Sequence, residues 1–228
     1  MPDFKTQNAL VLSARRLGER SFVISLFTRD NGRHLGVLQK KEPPQIGSFV
    51  EGRWQARLSD QLGTYYLEPS ISFSARFLDD KMRLAALTTL CALLDSVLPE
   101  RQSYTNFYAA TLKFLHDLDE DDFLKKYVLW EKDLLQTIGF GLDCSKCAGG
   151  GDSNDLAYIS PKTGRAVSRQ MGHPYHDKLL ELPTFMWKKS DASPDDIRKG
   201  LNLTGYFLST YSPVKSLPKI REQLYSIK

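Results

Sequence analysis

Cys144 and Cys147, in the stretch GFGLDCSKCAGGGDSNDLAYISPKTGRAV, have the C-x-x-C spacing of half a zinc knuckle. Two thiolates at that spacing can occupy two corners of a tetrahedron, and the other two corners need further nitrogen or sulfur donors. The later candidates are His173 and His176 in GHPYH, with 25 residues between Cys147 and His173. A Cys2His2 site of that spacing is geometrically allowed but matches no usual finger; the alternative is a plain loop with two exposed or half-buried thiols. A thioredoxin-like redox pair fits less well, because the motif follows a helix and not the first strand of a βαβ unit. Three cysteines in the whole chain argue against a disulfide framework. The pair is therefore metal-binding, redox-active or incidental. The third cysteine, Cys91, falls on an apolar helical stripe and reads as a core thiol.

No other catalytic signature is present. The chain has no G-x-x-x-x-G-K-[ST], no G-x-S-x-G, no H-E-x-x-H, and no G-x-G-x-x-G between a strand and a helix. An enzyme would have to draw its groups from positions that are not sequence neighbours.

The second chemistry-bearing pattern is electrostatic. Net charge is only +4, but residues 15–57 carry nine bases (Arg15, Arg16, Arg20, Arg29, Arg33, Lys40, Lys41, Arg53, Arg57) against four acids. Such an excess suits a polyanion, with a merely solvated basic surface as the alternative. Residues 80–143 are acidic by contrast, with 7 bases against 11 acids, and residues 144–228 are basic again, with 13 against 8.

The elements that must position these residues follow from periodicity. NALVLSA, SFVISLFT, RHLGVLQ, SFVEGRWQARL and TYYLEPSIS are β-rich runs separated by turn-prone RRLGER, RDNG, KKEPPQIG and SDQLG. Five strands in about 65 residues have the size of a small barrel such as an OB-fold. In the fourth run Val50, Gly52, Trp54, Ala56 and Leu58 alternate with Glu51, Arg53, Gln55 and Arg57, which sets two arginines side by side on a wet face. The other bases concentrate in turns, Arg15, Arg16 and Arg20 in the first, Lys40 and Lys41 in the third. Small barrels bind oligonucleotides through such loops and faces, and Tyr65, Tyr66 and Phe22 are available to stack on bases.

From residue 80 the period becomes helical. Leu84, Leu87, Cys91, Leu94 and Leu98 mark one amphipathic helix, and further helices are expected over 103–118, 121–138 (stopped by Gly139 and Gly141), from Pro194 to about Thr210, and briefly over Leu217–Ile227. The fold class is α+β: a DNA-binding OB-fold over 1–79, then an α-helical domain over 80–228 with an inserted zinc-knuckle-like loop and hairpin at 140–176. No run approaches the length of a membrane span and the N-terminus lacks a cleavage site, so a cytoplasmic protein without membrane contact is expected.

The order of motifs resembles the RecO family of bacterial DNA repair proteins. The carriers are A-L-V-L-x-x-R-x-x-G-E-x-x-x-V-I-S-L-F-T-x-x-x-G (Ala9 to Gly32), W-E-x-x-L-L-x-x-I-G-F-G (Trp130 to Gly141), the C-A-x-G loop at Cys147, and the closing SPVKSLPKIREQL. The likeness covers nearly the whole chain, and LAYISPKTGRAVSRQMGHPYHDKLLELP looks like the alphaproteobacterial form. The resemblance implies an OB-fold and a helical domain, binding to single- and double-stranded DNA, and annealing of complementary strands. It also implies RecA loading with RecR onto DNA coated by single-strand-binding protein, without catalysis or cofactor, in the nucleoid. Some relatives complete a four-cysteine zinc site with a second C-x-x-C where this chain has Ala166, Val167, Ser168 and Arg169, so the loop is expected to be metal-free and held by packing. KKEPPQIG replaces a longer, more basic segment of many members, which shifts the DNA contact to Arg15, Arg16, Arg33, Arg53 and Arg57.

The family's partner is also the acidic tail of single-strand-binding protein. In DDFLKKYVLWEKDLLQTIG, Phe123, Tyr127, Trp130, Leu134 and Ile138 form one apolar stripe. The tail site implied there is a slot lined by Tyr127 and Trp130 and edged by Lys125, Lys126 and Lys132; the alternative is an ordinary core helix.

Overall fold

A computed structural model of the chain describes residues 3–58, 61–213 and 216–227. The chain divides into two compact units, Met1–Leu112 with Pro218–Gln223, and Lys113–Leu217 with Leu224–Lys228.

In the first unit five strands, β1 (Asp3–Arg16), β2 (Ser21–Thr28), β3 (Gly32–Gln39), β4 (Ser48–Gln55) and β5 (Thr64–Ser72), close into a barrel in the order β1-β2-β3-β5-β4. Every pairing is antiparallel except that of β3 with β5, which is parallel at Val37↔Thr64 and Leu38↔Tyr65. This is the OB-type barrel expected from the five runs. Alternation puts Ala9, Val11, Phe22, Ile24, Leu26, Leu38, Val50, Trp54, Tyr65 and Leu67 in one core, and Leu10, Leu12 and Phe27, on the other faces of β1 and β2, are buried as well. Register shifts between Thr6 and Ala9 and between Val11 and Ser13 bend β1 so that it can serve both β2 and β4. At Gly36 a Cβ would lie 2.5 Å from the Tyr65 ring, so only glycine lets the aromatic core pass close to β3.

A short helix that the sequence did not disclose, α1 (Phe73–Arg76), follows the barrel. Asp80 then caps α2 (Lys81–Val97), its carboxylate accepting from the backbone N–H groups of Met82 and Arg83. The buried face of α2 includes Leu87, Cys91 and Leu94 as the period predicts, and it packs on β1 and β2 within the first unit. The division between the units falls inside α3 (Thr105–Asp117).

The second unit is built on α4 (Phe123–Thr137) packed against α6 (Pro194–Tyr211). Ser193 and Asp196 form a capping box at the start of α6, with Pro194 in its first turn. The expected hairpin, β6 (Leu156–Ile159) with β7 (Ala166–Ser168), gains a third strand, β8 (Leu180–Glu181), in the order β7-β6-β8. Between them lie α5 (Arg169–Gly172) and a 3-10 turn over His173–Lys178. No described helix is long and apolar enough to cross a membrane.

Two local expectations are corrected. β4 ends at Gln55, so Arg57 lies beyond the strand and Leu58 is 59% exposed instead of inward. The last helical segment is a 3-10 helix over Lys219–Tyr225.

Candidate nucleic-acid interface

The basic residues of the barrel separate into those committed to the fold and those left on its surface. Arg33 belongs to the first group: its Nε donates to the Leu98 carbonyl at 2.7 Å and its Nη1 lies 3.6 Å from Asp95. At 17% side-chain exposure this candidate for DNA contact is a strut between β3 and the end of α2. Lys40 donates to the Leu67 carbonyl at 2.8 Å, although it remains exposed beside Lys41.

Arg15 and Arg16 were expected in the first turn. They are instead the last residues of β1, in register with Val23 and Phe22. Arg16 braces the turn by donating to the carbonyls of Gly18 at 3.2 Å and Glu19 at 3.1 Å. Arg15 and Arg20 stay exposed with no ion pair among the described residues.

The arrangement best suited to a nucleic acid lies on the outer face of β1, β4 and β5. Lys5 stands directly opposite Arg53, and Arg53 directly opposite Tyr66. The Arg53 guanidinium carbon lies 4.8 Å from the centroid of the Tyr66 ring, and that ring is 51% exposed. Of the aromatics considered for stacking, Tyr65 (1% exposed) and Phe22 (7%) fill the core, leaving Tyr66 alone on the surface. Two like charges facing each other across a strand pair repel unless an anion bridges them. Glu51 opposite Glu68 bounds the row further along the same strands. Lys5 escaped sequence reasoning because its place beside Arg53 depends on strand register; the alternation of exposed Asp3, Lys5 and Gln7 is the only trace of it in the chain.

The cysteine loop is not assembled as a metal centre. Among the described residues no group of three or more His, Cys, Asp or Glu is placed to hold a metal ion. His173 and His176 are exposed on their 3-10 turn, with His176 Nε2 3.0 Å from Asp177, so the Cys2His2 arrangement with Cys144 and Cys147 does not form. Cys147 is buried, and its sulfur accepts from the Ser168 backbone N–H at 3.2 Å. Burial raises its thiol, but the Ser168 hydroxyl and the N–H groups of Ser168, Gly149 and Gly151 outweigh that and bring it down to about 7. Burial pushes Cys144 up instead.

The slot inferred on α4 is absent. Tyr127 is 0% and Trp130 2% exposed, packed with Phe114 in an aromatic core cluster. Lys126 is held by Glu120, Asp122 and Asp117, and its ammonium is stabilised first by Glu120, well above the usual lysine range. Lys132 donates to the Met186 carbonyl, and Lys125 is half-buried with no ion pair among the described residues. The stripe on α4 is core, because α3 and α6 cover it.

The family model described as Recombination protein O N terminal matches residues 1–68, and Recombination protein O C terminal matches residues 78–219. The chain belongs to the RecO family. It is 43% identical over 214 residues to the DNA repair protein RecO of Rhodospirillum centenum, covering 90% of this chain and 86% of that protein. It is 42% identical over 227 residues to that of Jannaschia sp., covering 95% and 93%. RecO of Rhodospirillum rubrum is 40% identical over 217 residues, covering 89% and 86%. These relatives place the chain in DNA repair and recombination, and the RecO N-terminal match spans the strands that carry Lys5, Arg53 and Tyr66.

Proposed function

We propose that this RecO chain is a non-catalytic recombination mediator that binds single- and double-stranded DNA chiefly through phosphate contacts on its barrel. It anneals complementary strands and, with RecR, helps load RecA onto DNA coated by single-strand-binding protein, in the nucleoid. The observation that carries this reading is the Lys5, Arg53, Tyr66 row on a closed barrel: two cations for phosphates and one exposed ring for a base. Arg15, Arg20, Lys41 and Arg57 extend the basic surface. Contacts of this kind carry little base information, so sequence preference is weak.

Titration of unrelated oligonucleotides across salt tests it. Counterion release makes log K fall with log salt by about 0.7 to 0.9 per phosphate contact. A flat salt response, or a strong preference for one duplex sequence, overturns the reading, and no binding at all would leave a protein adaptor. Annealing of strands coated with the cognate single-strand-binding protein then tests the partner. A tail contact on this protein would have to avoid the buried face of α4.

A second reading, a zinc or redox protein centred on Cys144 and Cys147, draws on the lowered Cys147 thiol. Near-stoichiometric zinc in purified protein, lost together with the fold in Cys147→Ser, would favour it.

A further inference from the structure

A polar cleft of about 330 Å³ opens on the first unit between the bulge of β1, the β2–β3 turn and the first turns of α3. Its lining includes Lys5, Gln7, Asn8, Arg29, Asn31 and Tyr108, with Asp30 as its one carboxylate. The walls are fixed before any ligand arrives. Asn8 sits at φ 52, a left-handed conformation that asparagine tolerates better than most non-glycine residues, and the Tyr108 hydroxyl donates to its carbonyl and anchors it there. Burial pushes the Tyr108 phenol up to about 12, so this donor keeps its proton at neutral pH. Across the cleft, Thr28 Oγ1 donates to the Gly32 carbonyl at 3.0 Å and accepts from the Asn31 N–H at 3.1 Å, and Ser103 Oγ donates to the Arg29 carbonyl at 3.2 Å. Gly32 has φ 59, and a Cβ there would lie 1.7 Å from the Gln102 carbonyl oxygen, so only glycine lets the turn pack this close to the Gln102 backbone.

The charges in the cleft are not used up by the fold. Lys5 has no ion pair among the described residues, and Arg29 reaches only Asp30, at 4.0 Å with both side chains largely in water. Two cations against one carboxylate leave an excess positive charge beside three amide side chains, a lining for an anion and not for an apolar ligand. The other large cleft, about 370 Å³ in the second unit, differs in this respect. There Lys199 is taken by Glu181 and Asp195, and Arg169 by Asp155.

What selects the occupant is continuity. Lys5 lines the cleft and also faces Arg53, which stacks on exposed Tyr66. We infer that the cleft seats one backbone phosphodiester of a bound single strand, with Lys5 and Arg29 as its cationic ligands and the amides of Gln7, Asn8 and Asn31 around it. The strand then runs over Arg53, and an unpaired base stacks on Tyr66. Duplex DNA has no unpaired base to offer, so this track prefers single strands. The inference rests on the barrel as the DNA-binding element and adds where the chain of phosphates passes.

Fluorescence titration of an oligothymidylate against the full chain, over a range of salt, tests it. Replacing both cations (Lys5→Ala with Arg29→Ala) is expected to weaken binding about tenfold at moderate salt and to lower the salt slope by about 1.4, that is 0.7 for each lost contact. The charge-keeping pair Lys5→Arg with Arg29→Lys should retain most of the slope. If wild-type protein binds with a steep slope and the alanine pair leaves that slope unchanged, the cleft inference fails while the barrel reading stands. If wild-type protein does not bind, both fail. Inorganic phosphate provides the second arm: amide NMR shifts at Asn8 and Asn31 that saturate with phosphate but are not displaced by the oligonucleotide would make this a free-phosphate site and overturn the strand assignment.

Discussion

Ser168 closes over Cys147, its backbone N–H donating to the sulfur at 3.2 Å and its hydroxyl lying 3.4 Å away. Ser168 falls within the four residues where the resemblance places a second cysteine pair in some RecO proteins. A clasp of hydrogen bonds therefore occupies the ground on which a metal could otherwise have joined loop to hairpin, and it holds Cys147 beside β7.

The clasp predicts a thiol that titrates near 7. Thiolate absorbance followed against pH should show a Cys147 midpoint about two units below an ordinary thiol, and Ser168→Ala should move it upward. The sign for stability follows from the lowered folded value: the contribution is fully present above the unfolded thiol range and is lost as pH falls through about 7. Denaturant midpoints that do not rise between pH 7 and 9, after correction with Cys147→Ser, would contradict it.

His34 predicts the opposite end of the pH range. Burial among Phe4, Trp54 and Tyr65, with help from Arg101, lowers its imidazole to about 4 against a backbone hydrogen bond that raises it. The unfolded chain binds this proton below about 6.5. Stability should therefore fall as pH drops from 6.5 towards 4 and then level off. In His34→Gln that part of the slope should vanish, whatever the variant's absolute stability.

Arg33 and Arg53 should behave as opposites. Arg33→Ala leaves Asp95 and the Leu98 carbonyl without their partner and should cost about 2 kcal/mol in urea unfolding, with DNA affinity unchanged. Tyr66→Ala together with Arg53→Ala should weaken single-strand binding by about tenfold or more with little change in unfolding. A DNA defect in Arg33→Ala at full stability would reverse the assignment of these arginines.

Glu131 joins α4 to α6, accepting from Tyr127 and from Thr204 at 0% exposure. Glu131→Ala should destabilise by about 3 kcal/mol, because a cavity forms and two hydroxyls lose an acceptor. Circular dichroism during denaturation reads it; a loss below about 1 kcal/mol would mean that the network contributes little.

Residues that act within their own element were legible in the sequence. The alternation of Val50, Glu51, Arg53 and Trp54, the stripe with Cys91 on α2, and the Pro194, Asp195, Asp196 start of α6 all depend on neighbours a few positions away. The failures depend on distant ones. Arg33 finds its carbonyl 65 residues on, at Leu98. Tyr127 and Trp130 look like a lined groove until α6 and Phe114 cover them, and Lys126 looks free until three carboxylates from the preceding turns converge on it. Lys5 enters the site only through cross-strand register, which periodicity cannot supply.

Barrel closure between β3 and β5 rests on two residue pairs, Val37↔Thr64 and Leu38↔Tyr65, whereas β2 and β3 share eight. The ring therefore has one weak seam, and spontaneous breathing should begin there, with the amides along Val37 and Leu38 exchanging with solvent before those buried in the β2–β3 ladder. Tyr66 follows the seam residue Tyr65 directly. Tyr66 itself pairs with Arg53 on the far side of β5, so opening of the seam would free one edge of its strand while the β4–β5 ladder keeps hold of the other.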